Sequence, residues 1–283
     1  MGNGSARVDA SSYKHLSLAG KIAVITGGTQ GLGETVAHLM ADRGAEGIAI
    51  CGRNEENGLR VSKALEEKGV KSLYVPADLA NVEDAQKVIR ATDKAFGRID
   101  TLANVAAITD RGTIWDTSPE LFDRMFAVNV RAPFFLMQDA AKVMKREKIK
   151  GTIVNIISMS GHGGQSFITA YCASKGALIT LTKNVGFSLM RHGIRVNGLC
   201  IGWMDTPGED RIMKTYHGAK DGWLKKAEAG LPMGRLLKTD EVARAVGYLA
   251  TDESGLMTGT IIDFDQAVVG CYESAPQPAP LEG

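Results

Sequence analysis

Cysteine is scarce and unpatterned: the four copies, at positions 51, 172, 200 and 271, form no CxxC and no metal-ligand spacing. They read as free thiols in a reducing compartment, which places the chain in the cytoplasm, and no metal is expected from them. No run of 18 apolar residues is present, so no membrane-spanning helix is expected. Charge of either sign is not in excess: the formal net charge is +1, which gives no reason to expect nucleic acid or an anionic membrane surface as partner. The opening MGNGSARVDASSYKHL lacks the apolar core of a secretory signal, and Ala6 stands where a myristoylation motif wants Ser or Thr. Residues 1–16 therefore read as a flexible tail, residues 17–270 as one catalytic domain, and residues 271–283 as a Pro-rich tail.

Between the tails, short β-branched runs alternate with helical patterns. Strands are expected at 21–26, 47–52, 72–77, 99–105, 151–158, 194–200 and 259–264, and helices near 32–43, 55–68, 82–96, 119–147, 170–192 and 239–250. Several strands are apolar on nearly every residue, as in a parallel sheet covered on both faces. The alternation implies right-handed crossovers and an α/β, single-domain, doubly wound parallel sheet of about seven strands flanked by helices.

The first strand runs into TGGTQGLG (26–33) and then a helix. Gly27, Gly31 and Gly33 can form a tight turn that brings the backbone close to a ligand, and the helix N-terminus behind it offers unpaired N–H groups to a phosphate. Such a turn can also be purely structural. No Gly-Lys-Ser/Thr follows, which disfavours a P-loop NTPase. The second strand ends Cys51-Gly52-Arg53-Asn54 without a carboxylate. Arg53 could fork onto a 2′-phosphate, stack on adenine or face water; the missing carboxylate leans the choice between NADP and NAD toward NADP.

YCASK (171–175) puts a tyrosine and a lysine one helical turn apart on one face. Bringing a phenol from a pKa near 10 to a useful value near neutrality takes about 4 kcal/mol. A unit charge about 4 Å away supplies about that much at an effective dielectric constant near 20. Lys175 is therefore expected to lower the Tyr171 pKa; the plain alternative is a half-buried tyrosine beside a solvated lysine.

From about residue 20 to residue 265 the sequence resembles the short-chain dehydrogenase/reductase family. TGGTQGLG looks like its cofactor loop, with Thr29, Gln30 and Leu32 beside the glycines, and Tyr171 with Lys175 looks like its catalytic pair. Ser158 and Asn129 match the serine and asparagine that complete a catalytic tetrad, and Asp78-Leu79 resembles the pair that contacts adenine. The resemblance also implies cofactor contacts for Asn104, Ala106, Gly202, Met204 and Thr206, a Rossmann fold, NAD(P)-dependent oxidoreduction and a homotetramer or homodimer. Two departures stand out: Asn104-Val105-Ala106-Ala107 where members commonly carry Asn-Asn-Ala-Gly, and Ile201-Gly202 in place of a Pro-Gly, which is expected to leave that turn less rigid.

Pro133, four residues after Asn129, lacks an N–H and crowds the Asn129 carbonyl, so a kink is expected there; the plain alternative is a proline tolerated in a helix's first turn. The freed carbonyl could hold a water leading from Lys175 to solvent, as in the family's proton relay. Specificity is expected from residues 161–170 and 207–232, with His162, Gln165 and Trp203 as candidate substrate contacts; such hydrogen-bonding side chains and few large aliphatics suit a small-molecule polyol, sugar or sugar acid. A 3-oxoacyl or small-ketone reductase would use the same catalytic residues. A non-catalytic NAD(P)-sensing protein would usually have lost part of the tetrad that is complete here.

Overall fold

The computed structural model describes residues 15–271. Apart from positions 15, 16 and 271, the two tails expected from the sequence lie outside the described residues. Seven parallel strands form one sheet: β1 (Ile22–Thr26), β2 (Gly47–Gly52), β3 (Lys71–Pro76), β4 (Thr101–Asn104), β5 (Thr152–Ile156), β6 (Arg195–Ile201) and β7 (Ile261–Phe264), in the order β3-β2-β1-β4-β5-β6-β7. Successive residues of a strand point to opposite faces. Ala23 and Ile25 enter one apolar core and Val24 the other; Ile48 and Ile50 separate from Ala49 and Cys51 in the same way. Both sets are buried, which is why these strands are apolar at every position rather than at alternate ones.

Helices α1 (Gly31–Asp42), α2 (Glu55–Glu67) and α9 (Thr239–Ala250) contribute to the first core. Helices α3 (Val82–Phe96), α5 (Ala132–Arg146) and α6 (Thr169–Leu189) cover the second. Local chemistry sets several starts: the side chains of Asn54 and Asn81 accept from the backbone N–H groups of Asn57 and Glu83, each such cap contributing about 1 kcal/mol. Gly97, at φ +74°, ends α3 in the left-handed conformation that a side chain disfavours.

The helix expected over 119–147 is interrupted. Helix α4 (Pro119–Phe126) passes into a π-helical turn over Ala127–Arg131 before α5 begins. The Ala132 N–H donates to the Ala127 carbonyl, a wider turn than an α-helix makes. Pro133 is the physical cause: its ring and missing N–H forbid the regular bond to Asn129, and the backbone adapts by widening rather than by a simple bend. The segment 207–232, expected to set specificity and given no element from the sequence, contains α7 (Pro207–His217) and α8 (Trp223–Glu228). The strand order reverses between β1 and β4, so a crevice opens at the carboxyl ends of these strands.

Candidate active site

The glycine turn after β1 is held at its closest approach by backbone alone. Gly27 and Gly31 have φ of +66° and +55°, and a Cβ on Gly33 would stand 2.2 Å from the Gly27 carbonyl oxygen. Gln30 precedes α1 without a side-chain cap, so the first N–H groups of that helix are left for an anion. Leu32 is buried in the first turn of α1. Thr29 is buried against Gly52, where an added Cβ would lie 2.7 Å from it. A turn with no room for a Cβ at Gly28 or Gly33, in front of uncapped N–H groups, fits the pyrophosphate of a dinucleotide.

Along the rim, Arg53 is exposed at the tip of β2. Leu79 is buried after β3. Asp78 accepts from the Ala80 N–H at 3.0 Å and pairs with Arg124 at 3.3 Å. Burial raises the Asp78 carboxyl, but the Ala80 N–H, Arg124 and Arg53 together hold it below its ordinary value. At the end of β4, Asn104 Nδ2 donates to Asn155 Oδ1 at 2.8 Å, and Asn155 Nδ2 to Thr182 Oγ1 at 2.9 Å. Thr26 Oγ1 accepts from Val105 N–H and Ala106 N–H at 3.0 and 3.1 Å, so the strand end is tied without a second asparagine. Asn104 Oδ1 is buried with no partner, an acceptor available to a ligand's donor.

Ser158 ends the extended segment after β5, and Tyr171 and Lys175 lie in the first two turns of α6. The Lys175 ammonium is buried, donates to the Ile156 carbonyl at 2.8 Å and lies 5.7 Å from the centre of the Tyr171 ring. Asn129 sits in the π-turn: Oδ1 accepts from Ile108 N–H at 3.0 Å, while Nδ2 faces the Ile108 carbonyl at 3.0 Å and Ser174 Oγ at 3.1 Å. Ser174 in turn donates to the Tyr171 carbonyl at 2.7 Å, which couples the asparagine to the helix that carries the tyrosine and lysine.

The electrostatics differ from the sequence expectation. Burial is the largest influence on Tyr171 and pushes the phenol up to about 12; the Ser158 hydroxyl and Arg111 act in the opposite direction, and Glu209 raises it further. Burial pushes Lys175 down to about 8. In the protein alone, desolvation therefore sets the direction of the phenol's shift.

Past β6, the turn expected to be loose is pinned by backbone bonds: Gly202 N–H to Phe264, Asp205 N–H to Leu237, and Leu237 N–H to Trp203. Met204 bridges to Leu237, and the Thr206 hydroxyl caps α7 by accepting from Glu209 N–H at 3.0 Å. Of the candidate substrate residues, Trp203 donates to Glu209 at 2.9 Å and stacks on Trp223, Gln165 is exposed, and His162 is paired with Asp263 at 2.7 Å. Sequence reasoning did not single out Arg111. Its Nε donates to His217 Nε2 at 3.0 Å, its guanidinium lies 3.7 Å from Glu209 and 5.6 Å from the centre of the Phe167 ring, and with Glu209 it acts on the Tyr171 phenol. The available signal was its place in the loop after β4, where crevice-lining residues of such sheets belong.

Residues 27–267 match a family model described as enoyl-(acyl carrier protein) reductase. The chain is 31% identical to galactitol 2-dehydrogenase of Agrobacterium fabrum and 32% identical to sorbitol dehydrogenase of Cereibacter sphaeroides, each comparison covering 88% of this chain and 98% of the relative. It superimposes with a TM-score of 0.80, at 30% identity, on a short-chain type dehydrogenase/reductase from Mycobacterium marinum, covering 89% of this chain and 96% of that one. The chain belongs to the short-chain dehydrogenase/reductase family, and it has that family's Rossmann-type sheet.

Proposed function

We propose that the protein transfers hydride between a nicotinamide dinucleotide and a secondary alcohol or ketone, with a polyol, sugar or sugar acid as substrate. The observation that carries this reading is the gathering of Asn129, Ser158, Tyr171 and Lys175 at the carboxyl ends of the strands beside the glycine turn. The polar wall formed by Arg111, Glu209 and His217 suits a hydroxylated molecule, and two relatives are named for galactitol and sorbitol.

Gly27, Thr29, Gln30, Gly31, Leu32 and Gly33 would hold the pyrophosphate, and Asp78, Leu79, Asn104, Ala106, Gly202, Met204 and Thr206 would line the rest of the dinucleotide. NADP is the preferred form, since Arg53 at the tip of β2 can pair with a phosphate and no carboxylate stands there to repel one. Once bound, the dinucleotide supplies the hydride acceptor or donor. Ser158 orients the substrate oxygen through its hydroxyl, and Tyr171 Oη takes the alcohol proton or returns it to a carbonyl. Lys175, held protonated near neutrality beside the phenol, stabilises the phenolate that this exchange forms. Asn129 positions α6 through Ser174. Phe134, Phe187 and Met190, exposed on α5 and at the end of α6, are the surface on which we place self-association as a homodimer or homotetramer.

The test is a turnover screen of polyols, sugars, sugar acids, short ketones and 3-oxoacyl thioesters with NADP and NAD, followed by nicotinamide absorbance. Oxidation of a polyol or sugar is expected, fastest with NADP. Turnover confined to 3-oxoacyl thioesters would replace this reading with the 3-oxoacyl reductase one.

A further inference from the structure

Behind the candidate active site, three residues distant in sequence converge. Cys200 on β6 and Asp263 on β7 are lateral partners in the sheet register and project to the same face. His162, in the short 3₁₀ turn that follows Ser158, folds over them. One His Nε2, the Cys200 Sγ and an Asp263 carboxylate oxygen all lie within 4.8 Å of one another. Among the described residues no other group of three such side chains comes together in this way.

We propose that His162, Cys200 and Asp263 form a binding site for a thiophilic divalent cation of the zinc type, with solvent completing the coordination. A nitrogen, a sulfur and a carboxylate oxygen are the donor set that zinc takes, and three protein ligands leave its fourth tetrahedral position open. Zinc bonds of about 2.0 to 2.3 Å require ligand atoms roughly 3.3 to 3.8 Å apart. The present spacings, from 2.7 Å between His162 and Asp263 up to the 4.8 Å limit, bracket that range, so adjustments of about an ångström close the site. Two ligands sit on neighbouring strands and cannot drift apart. The thiol forms a fully buried floor while the imidazole and carboxylate, 29% and 42% exposed, form a rim that an ion can reach. A single carboxylate with one sulfur ligand disfavours magnesium and calcium, which demand an oxygen shell.

The site is tested by titrating Co²⁺ into the reduced, metal-stripped full chain. A thiolate-to-cobalt charge-transfer absorbance that saturates at one equivalent and is displaced by Zn²⁺ is expected. Cys200→Ser should abolish it, whereas Cys172→Ser and Cys271→Ser should retain it. Asp263→Asn should weaken Zn²⁺ binding, measured by equilibrium dialysis, at least tenfold. Absence of the band, or its survival in Cys200→Ser, overturns the proposal. Should Cys200→Ser not fold by circular dichroism, Zn²⁺ affinity in Asp263→Asn that equals that of the natural sequence overturns it equally. Both readouts are independent of the oxidoreductase reading, since neither requires turnover.

Discussion

Lys175 is one of the largest fully buried side chains, and its ionisation is a stability question as well as a catalytic one. Its folded pKa of about 8 lies below the ordinary 10.5. Below pH 8 both folded and unfolded chains hold the proton, and the cost of burying the charge is at its full value. Between about pH 8 and 10.5 the unfolded chain binds the proton that the folded chain has released, so this residue's contribution to stability improves as pH rises. Lys175→Met should therefore be more stable than the natural protein at pH 7, by at most about 3 kcal/mol, with the gap shrinking toward pH 10. Denaturant midpoints of both proteins across that range check it; a gap that widens with pH contradicts the assignment. At the rim, Arg53→Glu should lower kcat/KM with NADP at least tenfold while sparing NAD, because a carboxylate repels a 2′-phosphate and accepts from a ribose hydroxyl. Paired kinetics with the two dinucleotides decide it.

Among the elements, the glycine turn makes the sharpest demand on sequence. An alanine at Gly33 would drive its Cβ into the Gly27 carbonyl oxygen, a backbone atom that cannot move without opening the turn. Gly33→Ala should lower dinucleotide affinity at least tenfold, measured by fluorescence titration, with a fall in melting temperature; unchanged affinity would show that the turn does not cradle the ligand. That turn was legible in the sequence because its function is a local backbone conformation. The strands were legible for a similar reason: burial on both faces leaves an unbroken apolar run. The break in 119–147 was half legible, since Pro133 announces trouble at Asn129 but not the π-helical form it takes. Helices α7 and α8 were not, because they start at Pro207 and Trp223 within a polar segment and have no buried residues to set an apolar period.

At the scale of the molecule, sequence reasoning fails where function depends on tertiary convergence. Arg111 meets Glu209 across 98 residues and His217 across 106, and Cys200 meets Asp263 only through the β6–β7 register. The tyrosine's environment is also a property of the whole fold: a lysine one turn away suggested a lowered pKa, but enclosure by the surrounding elements raises the phenol to about 12. The same scale governs assembly. Phe187 is 77% exposed and Met190 51% exposed at the end of α6. Sedimentation velocity should show a dimer or tetramer, and Phe187→Glu with Met190→Glu should shift it toward monomer; a natural protein that sediments as a monomer removes the proposed self-association.

On the proposed mechanism the Tyr171 phenol moves the proton while the glycine turn holds the dinucleotide. The direct measurement is turnover and dinucleotide affinity of Tyr171→Phe, on whichever substrate the screen identifies. Loss of roughly a hundredfold or more in kcat, with dinucleotide affinity within a fewfold of the natural protein, is the predicted result. Retained kcat would place the proton transfer on a group other than Tyr171.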